Sequence, residues 1–129
     1  MTLQMSKKVN IIYMEDKTID ILGTTWIIEF KDYDPGFEVG QGFCCECEKR
    51  IVIENVKKSD DPLAASIEGQ KINQKRVIRH EVVHAYLSEC GLDLDSAAAD
   101  HWATNEEMVD WIARLGPKIH NTWKELGVL

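Results

Sequence analysis

Between Gln70 and Cys90 apolar side chains recur at helical spacing on two sides of one stretch. At about 100° per residue, Ile78, Val82, Ala85 and Tyr86 cover one side, and Val77, Val83 and Leu87 flank the other. A helix that is apolar on both sides has to lie between a sheet and other helices rather than on a surface. Gly91 follows where glycine ends helices, because it enters left-handed backbone without a Cβ penalty. The rest of the chain must therefore supply two covering layers.

The first layer is legible upstream. Leu22–Phe30 and Arg50–Asn55 are rich in β-branched and aromatic types and read as strands, whereas residues 9–14 form an apolar run open to helix or strand. Asp32-Tyr-Asp-Pro-Gly36 is a turn, Gly40 and Gly42 precede a hairpin segment Phe43–Cys47, and Lys57–Pro62 reads as a charged loop. The second layer lies downstream of a polar connection over residues 92–104. Thr104 with Glu107 fits a capping box opening a helix that runs to about Leu115, where Gly116-Pro117 stops it. A last helix, Lys118–Leu126, carries the stripe Ile119, Trp123 and Leu126. Trp26, Trp102, Trp111 and Trp123 are expected as core anchors, and Tyr86 as core or packed behind the site. Strands over 1–60 and helices over 70–129 predict an α+β fold in one domain spanning 1–129.

Charge narrows the function. With 22 acidic against 15 basic side chains, the net charge of −7 argues against nucleic acid as a partner. No apolar run reaches the ~18–20 residues that span a bilayer, so no membrane insertion is expected. The first ten residues lack the apolar core of a secretory signal, which predicts a cytoplasmic protein. Cys44, Cys45, Cys47 and Cys90 show no disulfide framework, and Cys44-x-x-Cys47 has no matching second pair for a zinc knuckle. They read as reduced thiols in or beside a strand.

The chemistry sits on the central helix, in Arg79-His-Glu-Val-Val-His-Ala-Tyr-Leu87. His80 and His84, four apart, leave the same helix face one turn from each other and can share one tetrahedral metal ion. Glu81 lies about 100° round the helix, beside the metal, where a carboxylate can act as general base. Such a site needs a third protein ligand. His101, Glu106 and Glu107 are the candidates. Glu107 has a capping task and Glu106 is free to reach across, so Glu106 is preferred. Asp110, four residues beyond Glu106, is placed to accept a hydrogen bond from the far nitrogen of a ligating histidine. Leu87 and Cys90 stand where the metzincin pattern needs glycine and histidine, which excludes that pattern.

His80-Glu-x-x-His84 followed by Glu106 and Asp110 resembles the gluzincin pattern. More narrowly, His80–Leu92 with Glu106–Ala113 is similar to small phage-encoded zincins and to the ImmA/IrrE metallopeptidases, whose third ligand opens a Glu-x-x-Ala-Asn-x-Phe-Ala stretch. Here Val109, Asp110 and Ile112 replace the Ala, Asn and Phe of that stretch. The resemblance implies a minimal zincin-like domain, with a small, mainly antiparallel sheet packed on the HExxH helix and C-terminal helices after it. It further implies one catalytic Zn2+ and a protein or peptide substrate, such as a repressor that controls a mobile element. An edge strand beside the metal helix would pair with the substrate, and Arg50–Asn55 is read as that strand. His101 is read as a catalytic partner for the developing oxyanion. Two further readings stand beside it: a non-catalytic, metal-stabilised module that captures a regulator, and a thiol or metal sensor centred on the cysteine cluster.

Overall fold

A computed structural model describes residues 9–38 and 40–129. Residues 1–8, read above for a leader, lie outside the described residues. The order is β1 (Val9–Ile12), β2 (Lys17–Ile21), β3 (Thr24–Lys31), β4 (Gly42–Cys45), β5 (Arg50–Glu54), β6 (Val56–Ser59), α1 (Ile67–Glu89), α2 (Leu92–Asp95) and α3 (Glu106–Glu125). The architecture is α+β, as expected, with the described strands preceding the helices.

β2, β3, β5 and β4 lie side by side in that order. β2–β3 and β5–β4 pair antiparallel, while β3–β5 pairs parallel, so this sheet is mixed. A separate antiparallel ribbon joins β1 to β6. Two strands escaped the sequence reading. β2 has a single fully buried side chain, Ile21, and all of β6 but Val56 falls in the segment Lys57–Pro62 expected as a loop. Leu22 and Gly23, both at positive φ, form the turn between β2 and β3 instead of opening the strand.

Ile51, Val52 and Ile53 are all buried, which marks β5 as a central strand. β4 is at the edge, correcting the assignment of Arg50–Asn55. Three consecutive buried apolar positions signal a strand covered on both sides, and an edge strand does not need them.

The core joins Ile21, Trp26, Ile28, Ile51 and Ile53 of the sheet to Val77 and Ala85 of α1, with Ile78 and Val82 packed against it. Each fully buried large side chain of this kind contributes about 1.5–3 kcal/mol. α1 lies against β2, β4, β5 and β6 on one side and α3 on another, so the sandwiched helix is as expected. β4 comes close to α1 because Gly42 has no side chain. A Cβ there would stand 2.7 Å from Val77 Cγ1 and 3.0 Å from Ile53 Cδ1.

α1 opens at Ser66, whose Oγ accepts from Gly69 N, and ends at Cys90 followed by Gly91 at φ 81°. α3 opens one residue later than expected. Asn105 is the N-cap, its side chain accepting from Met108 N. Thr104 ends a 3-10 turn and donates its hydroxyl to His101 O. Nor does α3 stop at Gly116-Pro117; it runs through to Glu125. Proline cannot donate to the carbonyl four residues back, that of Ala113. Arg79 Nε donates to that oxygen instead, at 2.6 Å. Of the tryptophans only Trp26 is a core anchor; Trp102, Trp111 and Trp123 are about half exposed, as is Tyr86. No helix among the described residues is long and apolar enough to cross a membrane.

Candidate metal centre

α1 carries His80 and His84 on one face, their ring centroids 5.0 Å apart. Glu106, the first residue of α3, reaches between them. Its Oε2 lies 2.9 Å from His80 Nε2 and its Oε1 lies 2.8 Å from His84 Nε2. The placement follows from the cap: Asn105 starts α3 where its first side chain faces α1. Glu107, one position on, lines an exposed patch with Trp102 and Trp111 instead.

Asp110 is one turn along α3, and its Oδ1 lies 3.2 Å from His80 Nδ1. The same carboxylate accepts from Arg76 Nη1 at 2.7 Å and from Arg114 Nε at 2.6 Å. Arg114 above all, with His80 and Arg76, holds the Asp110 carboxyl down at about 2 against the partial cost of its desolvation. An ionised Asp110 can only accept, so the proton of a neutral His80 belongs on Nδ1. Its Nε2 faces a Glu106 carboxylate oxygen. Burial lowers the pKa of His84, which favours its neutral form.

Nε2 of both imidazoles and the Glu106 carboxylate thus converge on one point. A shared cation would take the same three side chains as ligands. The three donor atoms lie within 4.8 Å of one another, compatible with ligands of a tetrahedral ion, which stand about 3.3 Å apart at zinc bond lengths. Glu106 is 70% exposed and free to adjust, whereas His80 and His84 are mostly buried and fixed. The residues present fit a divalent metal with two nitrogen ligands and one oxygen ligand.

The three face a cleft of about 400 Å³ whose opposite wall is Gly36, Gly40, Gly42 and Phe43. Glu81 also lines it and is buried, at 7% exposure. Burial raises the Glu81 carboxyl to about 7, the His80 charge opposing the rise and Glu106 and Glu46 adding to it. Cys44 is on the same wall, its thiol pushed far up by burial and then by Glu46 and Glu81.

His101 stands elsewhere. It is exposed, at φ 52°, ahead of a 3-10 turn, and is not among the residues lining the cleft. Sequence reasoning passed over Arg76 and Glu46. Arg76 is four residues before His80, on the same helix face, which was a usable signal. Glu46 enters the cleft through the β4–β5 turn, which no local pattern announces. Comparison of the chain with protein-family models, curated proteins and solved structures finds no match.

Proposed function

We propose that this protein is a zinc-dependent peptidase. The observation that carries the reading is the convergence of His80 Nε2, His84 Nε2 and the Glu106 carboxylate at the floor of a cleft that also holds the buried Glu81. A zinc ion held by those three residues would supply Lewis-acid polarisation of the scissile carbonyl and acidify the attacking water. Glu81 takes the proton from that water and returns it to the leaving amine. A carboxyl near 7 is matched to both tasks at neutral pH. Asp110 fixes the His80 ring and its tautomer, and Arg76 and Arg114 fix Asp110.

β4 bounds the cleft and, among the described residues, has a neighbouring strand on only one side. Its free edge is the place for an extended substrate to add a strand. Resemblance to the ImmA/IrrE peptidases extends the proposal to a regulatory protein as the natural substrate.

The test is zinc-loaded protein against a mixed peptide library, read by mass spectrometry. The wild type cleaves, and Glu81→Gln keeps its zinc while losing about 100-fold or more of the rate. A Glu81→Gln protein that cleaves as fast as wild type refutes the mechanism.

A further inference from the structure

Three of the four arginines in this chain, Arg76, Arg79 and Arg114, line one groove. It measures about 410 Å³, follows the seam between α1 and α3, and is completed by Lys118. No carboxylate is among its lining residues. Among the described residues the only acid bonded to these cations is Asp110, which holds Arg76 and Arg114. Arg79 uses its Nε on the Ala113 carbonyl, leaving the terminal guanidinium nitrogens without an acidic partner among the described residues. Lys118 likewise has no acidic partner among them. Four cations gathered against one carboxylate is an unusual concentration on a chain of net charge −7.

We propose that the groove docks a short acidic segment of a polypeptide. Guanidinium groups offer planar, paired donors that match carboxylates, a geometry lysine does not offer. Ile72, which is 70% exposed, and Leu115 share the groove with the cations. They favour a chain that sets apolar side chains beside its carboxylates over a bare small anion. A long polynucleotide is disfavoured, because beyond the groove it would run over a surface of net negative charge. The inference stands on the groove alone and does not depend on the peptidase reading.

Fluorescence anisotropy tests it, with a labelled hexapeptide of alternating Glu and Leu at low ionic strength. The peptide binds the full chain, and its Gln-Leu counterpart binds about tenfold more weakly. Lys118→Glu and Arg114→Gln, both at exposed positions, each weaken binding about tenfold while far-UV circular dichroism is unchanged. Lys17→Glu, on the exposed face of β2, makes the same charge change as Lys118→Glu and leaves binding nearly intact. Equal binding of the Gln peptide, equal binding by the groove variants, or no measurable binding by wild type overturns the proposal. So does displacement of the peptide by millimolar inorganic phosphate or, at lower concentration, by a single-stranded oligonucleotide of equal charge.

Discussion

Pro117 lies in the interior of a 20-residue helix, and α3 remains unbroken there. The carbonyl it orphans belongs to Ala113, which is 1% exposed and shut off from water. Arg79 Nε, donated from α1 at 2.6 Å, takes the place of the missing helical donor. Arg79→Met keeps much of the aliphatic stem and removes the donor. A buried acceptor left alone costs about 1–3 kcal/mol, and a bond from a charged donor lies toward the upper part of that range. We expect Arg79→Met to lower the unfolding free energy by about 1.5–3 kcal/mol, at roughly 3–5 °C in Tm per kcal/mol for a chain this long. Pro117→Ala restores an N–H to the helix, so in that background Arg79→Met should cost about 1 kcal/mol less. Urea denaturation of the wild type, both single variants and the double variant closes the cycle. A cost of Arg79→Met that is the same in both backgrounds, within about 0.5 kcal/mol, refutes the substitution of one donor for the other.

Two further outcomes follow from the side-chain environments. Disulfide-exchange labelling of native protein at about pH 8 should modify the exposed Cys47 and Cys90 first and Cys44 last, since burial keeps the Cys44 thiol protonated; mass spectrometry of timed samples that finds Cys44 labelled as early as Cys47 contradicts this. Glu89 is held below its ordinary value of 4.5 by Lys49 first, then Trp26 and Thr24. Its stabilisation is complete above that value and is lost as pH falls below it. Thermal melts of Glu89→Gln should therefore show lower stability at neutral pH and a flatter acid limb than wild type, and parallel acid limbs would count against the assigned role.

What could be read from the sequence was local. His80, Glu81 and His84 at their spacing, the apolar residues on two sides of α1, and the Gly91 terminus all depend on neighbours within about one or two turns. The failures involve partners distant in the chain. Pro117 reads as a stop unless a donor arrives from Arg79, far earlier in the chain. Arg50–Asn55 reads equally well as an edge or a central strand, and the parallel pairing of β3 with β5 decides it. The α3 cap slipped by one residue because Thr104 and Asn105 are both capping types, and the preceding 3-10 turn takes Thr104 for itself. Trp111 and Trp123, expected inside, are half exposed because among the described residues α1 is the main element packed against α3, and a stripe of aromatics does not announce which helices lack a second neighbour. The metal-site geometry was partly legible: Glu106 was preferred for its freedom from a cap, and it is the new helix start at Asn105 that aims it at both histidines.

Competition titration of metal-free protein with zinc against a chromogenic chelator tests the central claim most directly. The account predicts one site in the wild type, weakened about 100-fold or more in each of His80→Ala, His84→Ala and Glu106→Gln, about 10- to 100-fold in Asp110→Asn, and unchanged in His101→Ala. A wild type that takes up no zinc, or triad variants that bind it as tightly as wild type, would contradict it.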